Sequence, residues 1–327
     1  MSEYLVDIKD ERLSFFTPAG EVKALGGVSI HLKEGEVLGI VGESGSGKSV
    51  TAYSLMGLTA YPGRLIGGTL DFNGHHINDM SEKEMRRIRG NEVSIIFQDP
   101  MTSLNPVYTI GNQIVEVIRL HTDKNKADAW ARAKELLELV GINEPEKRLK
   151  QYPHELSGGM RQRVMIAMAL SCNPKLIIAD EPTTALDVTI QAQILDLLRN
   201  LKNKINSSIM LITHDLGVIA EMADYVVVMY AGRVVEKGTV EEIFANPAHP
   251  YTIGLMASKP VVGKKVDKLY SIPGKVPNPI NMPDYCYFKD RCEMQVEKCS
   301  GEYPHMIQLS PTHMVSCYRY FDGKVGE

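Results

Sequence analysis

The chain has 327 residues, 44% of them hydrophobic and 23% charged, values that exclude disorder as the default and leave enough chain for about two domains. Lys and Arg together number 36 against 40 Asp and Glu, a net charge of −4, which offers no general cationic surface for a nucleic-acid backbone, so no nucleic-acid partner is expected. The longest apolar stretches, residues 176–179, 209–212 and 225–230, fall far short of the roughly 18 residues that a bilayer-spanning helix needs.

In chain order, Met1-Ser2-Glu3-Tyr4-Leu5-Val6-Asp7 is acidic and has no apolar h-region, so no secretory signal is expected and the thiols are expected to stay reduced in the cytosol. Residues 36–41 read as the first buried strand, and Gly42-Glu43-Ser44-Gly45-Ser46-Gly47-Lys48-Ser49 follows it. That string fits G-x-x-x-x-G-K-[ST] in full, placed between a strand and a helix. Its glycines let successive N–H groups converge on phosphate oxygens, Lys48 reaches the β- and γ-phosphates, and the Ser49 hydroxyl suits Mg²⁺. A second strand is expected at 93–97. Trp130, Ala133, Leu137 and Val140 then mark one helix face, with Gly141 placed to close it. The strand at 176–179 runs into Asp180-Glu181, which delivers two carboxylates to the C-terminal edge of the sheet, where ligands of open α/β folds bind. Asp180 is expected to hold Mg²⁺ through water, and Glu181 to act as general base on the attacking water. Ile190, Ile194, Leu197, Leu198 and Leu201 mark a further helix, and strands are expected at 209–213 and 225–229. Strands that are apolar throughout, interleaved with helices, imply a parallel sheet covered on both faces.

Tyr152-Pro153-His154-Glu155-Leu156-Ser157-Gly158-Gly159-Met160-Arg161-Gln162-Arg163 resembles the signature motif of the ATP-binding cassette (ABC) proteins. Ser157 suits an N-cap, and the helix after it points its dipole at an anion. The resemblance implies an α/β P-loop NTPase cassette: a RecA-like parallel-sheet core, an antiparallel β subdomain and a helical signature subdomain. It also implies that two cassettes pack head to tail, each signature completing the partner's ATP site. On the family's pattern Gln98 senses Mg²⁺ and water, Asp187 of Ala185-Leu186-Asp187 crosses the dimer interface, and His214 contacts the γ-phosphate and positions Glu181. The implied ATP contacts are then Phe16, Gly42, Ser44, Gly45, Ser46, Gly47, Lys48, Ser49, Val50, Gln98, Ser157, Gly158, Gly159, Asp180 and Asp187. The implied Mg²⁺ ligands are Ser49, Gln98 and Asp180, and the catalytic set is Glu181, His214 and Gln98. Phe16 is preferred over Phe15 as the aromatic residue on adenine.

Phe97-Gln98-Asp99-Pro100-Met101-Thr102-Ser103-Leu104-Asn105-Pro106, the Met160 variant of the signature and His249-Pro250-Tyr251-Thr252 look like ATPase subunits of dipeptide and oligopeptide importers. The implied partners are a second ABC ATPase subunit, identical or related, transmembrane permease subunits and, indirectly, an extracytoplasmic solute-binding protein. The implied location is the cytoplasmic face of the membrane. An importer of nickel or another solute, and a soluble ABC ATPase outside transport, are the alternatives.

Between about residues 257 and 284 the chain turns Pro- and Lys-rich and loses periodicity, which divides a cassette, 1–255, from a small Cys-rich module, 256–327. Cys286-x5-Cys292-x6-Cys299-x17-Cys317 lacks the C-x-x-C pair of a zinc ribbon. Tails of the peptide-importer type share four cysteines, so a [4Fe–4S] cluster is expected at Cys286, Cys292, Cys299 and Cys317, with zinc or unligated thiols as alternatives. His305 and His313 are possible substitute ligands. Cys172 reads as a small core residue within a helix.

Overall fold

The apolar runs become strands whose alternate side chains enter opposite cores. The computed structural model describes residues 3–184, 186–258, 270–280 and 282–321. Among these the strands are β1 (Val6–Thr17), β2 (Gly20–Leu32), β3 (Val37–Val41), β4 (Gly63–Phe72), β5 (His75–His76), β6 (Val93–Ile96), β7 (Leu176–Asp180), β8 (Ser208–Thr213), β9 (Tyr225–Tyr230), β10 (Arg233–Thr239), β11 (Ile307–Gln308) and β12 (Met314–Val315). The larger sheet has the order β11-β12-β10-β9-β3-β8-β7-β6, and the strands from β9 to β6 run parallel. Val41, Ile177, Leu211 and Val226 face a core built with the helices of one side. Their neighbours Ile40, Ile178, Met210 and Val227 face a second core shared with the antiparallel sheet β2-β1-β4-β5. Period-two geometry therefore requires apolar side chains at every position of these strands.

Local signals set the helix ends. Asn125 caps the helix Lys126–Leu139 by accepting the Asp128 amide. At its other end Gly141 takes φ 73°, and the Gly141 and Ile142 amides bond back to Glu138 and Leu137, the paired closure that a left-handed residue permits. The helix Gly158–Ala169 ends before Cys172, which lies in the following turn and is half-buried. The placement of Cys172 inside a helical core is thereby corrected; burial raises its thiol pKa, with the Arg132 cation opposing.

The tail is continuous with the cassette sheet. β12 pairs antiparallel with β10, Val315 opposite Glu236. Fully buried Glu236 accepts the Ala248 and His249 amides at 2.7 and 2.8 Å and faces His313 Nε2 at 2.8 Å. Residues 259–269, part of the stretch expected to separate two domains, lie outside the described residues. Among the described residues no helix is long and apolar enough to cross a membrane.

One buried carboxyl makes the fold pH-sensitive. Glu11 of β1 has no exposed surface, accepts the Ser54 hydroxyl and leaves its other oxygen unpartnered. Burial pushes its pKa up from 4.5 to about 8, with the Ser54 hydrogen bond opposing. A folded-state pKa above the unfolded value means that stability is full below about pH 4.5 and is lost as pH rises through about 8. Glu11→Gln keeps the hydrogen bond and removes the ionisation. The variant is expected to hold its stability between pH 6 and 9, while the wild type loses up to about 2–3 kcal/mol. Urea titrations of both chains at the two pH values check this, and parallel pH profiles would rule it out.

Candidate functional site

Four strand ends meet at one edge of the parallel sheet. β3 leads into residues 42–47, β6 into Gln98, β7 into Asp180 and Glu181, and β8 into His214. Residues 44–50, Gln98, Glu181 and His214 line a cleft of about 470 Å³ there.

The loop after β3 is held by its own residues. Gly47 takes φ 98°, and a Cβ there would lie 2.7 Å from Leu25 Cδ2, so both conformation and space require glycine. The loop opens directly into the helix Lys48–Leu55, whose free N–H groups suit an anion. Lys48 donates to the Gly42 and Glu43 carbonyls at 2.8 and 3.0 Å. Burial lowers its pKa, while Glu181, Asp180 and Glu43 favour its charged form.

Ser49 donates to one Asp180 oxygen and Tyr53, one helical turn later, to the other, both at 2.9 Å. Burial raises the Asp180 pKa, and these two hydrogen bonds oppose the rise. The hydroxyl of Ser49 beside the Asp180 carboxylate is an all-oxygen donor set that fits Mg²⁺. Tyr53 lies outside the sequence reading; its i+4 spacing from Ser49 is the signal that could have found it.

Glu181 sits at φ 46°, uncommon for a residue with a side chain, and its amide donates to the Ile212 carbonyl. Its carboxylate accepts the Gln98 amide at 3.0 Å and the Thr184 hydroxyl at 2.9 Å, and its other oxygen lies 3.3 Å from His214 Nδ1. Gln98, Glu181 and His214 are thus brought together, and Thr184 joins them unforeseen.

The remaining sequence candidates stand apart from this cleft. Ser157 accepts the Met160 amide as N-cap of the helix Gly158–Ala169, with Gly158 and Gly159 as its first residues. Asp187 caps the helix Val188–Ile205 by accepting the Ile190 amide; Ala185 lies outside the described residues. Phe15 packs against the core, whereas Phe16 is 45% exposed with the Arg64 guanidinium 5.8 Å over its ring.

The four tail thiols come close enough for Cys299, Cys317 and Cys292 all to raise the Cys286 pKa. Burial is the larger cause, and it pushes Cys286 up to about 12 and Cys317 to about 11. Among the described residues no three His, Cys, Asp or Glu side chains are placed to hold a metal ion. His313 is engaged with Glu236, and His305 packs edge-on against Phe321. A [4Fe–4S] cluster or zinc at Cys286, Cys292, Cys299 and Cys317 finds no support in this arrangement, and no function is routed through one.

Comparison with known proteins agrees with this geometry. A family model described as ABC transporter matches residues 25–184, and one described as oligopeptide/dipeptide transporter, C-terminal region, matches residues 235–299. The oligopeptide transport ATP-binding protein AppD of Bacillus subtilis (strain 168) is 51% identical over 97% of both chains. The oligopeptide transport ATP-binding protein OppD of Escherichia coli (strain K12) is 49% identical, over 97% of this chain and 94% of that one. The dipeptide transport ATP-binding protein DppD of Lactococcus lactis subsp. cremoris (strain MG1363) is 51% identical over 97% and 91%. Among solved structures, the dimeric post-hydrolysis state of the ATP-binding cassette MJ0796 bound to ADP and Pi superposes with a TM-score of 0.65 at 28% identity, covering 72% of this chain and 98% of that one.

Proposed function

The chain belongs to the ABC transporter ATP-binding proteins that carry the oligopeptide/dipeptide type of C-terminal region, and on that premise we propose how its site works. It is an ATP-hydrolysing subunit of an oligopeptide or dipeptide importer. The nickel-importer and non-transport alternatives are not favoured, because the similar proteins named above are peptide-transport subunits over nearly the whole chain.

The observation that carries the mechanism is the convergence on Glu181 of Gln98, Thr184 and His214 beside the Ser49–Asp180 pair. ATP phosphates bind the N–H groups of residues 44–49 and Lys48, and Phe16 offers its exposed ring to adenine. Ser49 and Asp180, with Gln98 nearby, would hold Mg²⁺, which when bound would supply neutralisation of phosphate charge. Glu181 accepts a proton from the attacking water. Gln98 and Thr184 fix the carboxylate, and His214 reaches it from β8 toward the γ-phosphate. Ser157, Gly158, Gly159 and Asp187 serve the ATP of a partner cassette, a second copy or a related subunit. An apolar groove next to Gln98, bounded by Met56, Leu58, Phe97, Leu104 and Met165, supports docking of permease subunits at the cytoplasmic membrane face. An extracytoplasmic solute-binding protein would deliver the peptide to them.

Reconstitution in liposomes with the permease and solute-binding subunits tests the reading. ATP hydrolysis is expected to rise several-fold when peptide-loaded binding protein is added. Hydrolysis that ignores peptide but responds to another solute would overturn the transport assignment.

A further inference from the structure

The phosphate loop is gripped from the tail. Arg291 lies in the 3₁₀ turn Lys289–Arg291, between Cys286 and Cys292, and is 6% exposed. Its guanidinium makes a two-pronged bond to the Glu43 carboxylate, Nη1 to Oε2 at 2.7 Å and Nη2 to Oε1 at 3.1 Å. Its Nε donates to the Pro273 carbonyl at 2.8 Å, and Nη1 reaches the Tyr230 hydroxyl at 3.4 Å. Every donor group of the fork is thus aimed at a stated partner, in a setting closed by the Tyr230 and Phe288 rings.

Glu43 connects this fork to the nucleotide site. It is the second residue of the phosphate loop, and its carbonyl accepts both the Lys48 ammonium and the Ser46 amide. Its own amide donates to the Tyr251 hydroxyl at 2.8 Å. Tyr251 in turn packs with Tyr230 and Phe288. A second tail contact secures the neighbouring hairpin: the Lys23 amide of β2 donates to the Pro279 carbonyl at 3.1 Å, and Val22 bridges Ile280. The tail therefore braces the phosphate loop and the hairpin that carries Phe16.

We propose that Arg291 is a positioning residue of the ATP site: through Glu43 it holds the phosphate loop in the conformation that receives phosphate, and so makes the C-terminal module part of that site. The proposal rests on the ATP-binding reading above. Bidentate geometry makes Arg and Lys unequal here, since an ammonium cannot satisfy both carboxylate oxygens and the Pro273 carbonyl in one plane.

The test measures binding of a fluorescent ATP analogue, the KM and kcat of hydrolysis, and the thermal midpoint for the full chain. Arg291→Ala is expected to weaken nucleotide binding and raise KM by about tenfold, with kcat changed less than about threefold, because Gln98, Glu181 and His214 come from other strands. Arg291→Lys keeps charge and bulk, and carries the test if the alanine variant does not fold; it is expected to raise KM about threefold at a near-normal thermal midpoint. The exchange Glu43→Arg with Arg291→Glu is expected to recover part of the lost affinity. Folded Lys and Ala variants with wild-type affinity, or a loss that falls on kcat and tracks the thermal midpoint alone, would overturn the proposal. A wild-type chain that binds no nucleotide would instead overturn the ATP-site reading beneath it.

Discussion

Glu181→Gln is expected to cut steady-state ATP hydrolysis by roughly 10²–10⁴-fold, the range that a positioned general base contributes, while leaving nucleotide affinity within a few-fold of wild type. The separation follows from which strand supplies what. On the proposed mechanism phosphate and Mg²⁺ would be held from the loop after β3 and from Asp180, whose hydrogen bonds to Ser49 and Tyr53 do not involve Glu181. The glutamine oxygen can still accept from Gln98 Nε2 and Thr184 Oγ1 as the carboxylate does now, so the local fold has no reason to change. What disappears is the basicity that draws a proton from water. With chemistry stalled, the ATP-bound pair of cassettes should accumulate, visible as a larger species by size exclusion with Mg-ATP and absent with ADP. Turnover at the wild-type rate would remove Glu181 from the base role.

The parts of this arrangement that were legible are those written in local sequence. A strand buried on both faces must be apolar at each position, so β3, β6, β7, β8 and β9 could be found to within a residue or two. The loop of residues 42–49 and the Asp180-Glu181 pair are contiguous strings whose spacing carries their chemistry. Phe15 and Phe16 illustrate the limit. Adjacent strand residues face opposite ways, so one packs inside and the other outside, but β1 has register shifts against both of its neighbours that hide the parity. The Arg291–Glu43 fork was not legible at all, because 248 residues separate its halves and nothing near either one announces the other. The tail cysteines show a further limit. Four thiols in a row of suitable spacings read as a ligand set, whereas ligation depends on where folding puts each sulfur. The strands β11 and β12, two residues each, are too short for any periodicity to appear.

The two glycines of the signature segment give the sharpest test of the paired-cassette arrangement, because they are glycine for different reasons. A Cβ at Gly159 would come 3.1 Å from Ile190 Cγ2 on the helix Val188–Ile205, so this chain's own packing accounts for it. At Gly158 a Cβ would meet nothing within 4 Å among the described residues, and its backbone is not among the positive-φ positions. Alanine is the better helix former, and no contact among the described residues calls for glycine here. A phosphate approaching the helix N-terminus from a partner cassette would call for it. Gly158→Asp places a carboxylate where that phosphate would lie. Its thermal midpoint is expected to stay level or rise slightly, since an anion in the first helical turn is worth roughly 0.3–1 kcal/mol. ATP binding by the isolated chain is expected to be unchanged, because Lys48 and Ser49 belong to the other site. ATP-driven pairing with the partner cassette should vanish, and hydrolysis should fall by at least about 10²-fold as two like charges are forced together at close range in a water-poor interface. A Gly158→Asp chain that hydrolyses ATP at the normal rate would mean that the signature helix never meets a nucleotide. Catalysis would then have to be complete within a single cassette, on Gln98, Glu181 and His214 alone.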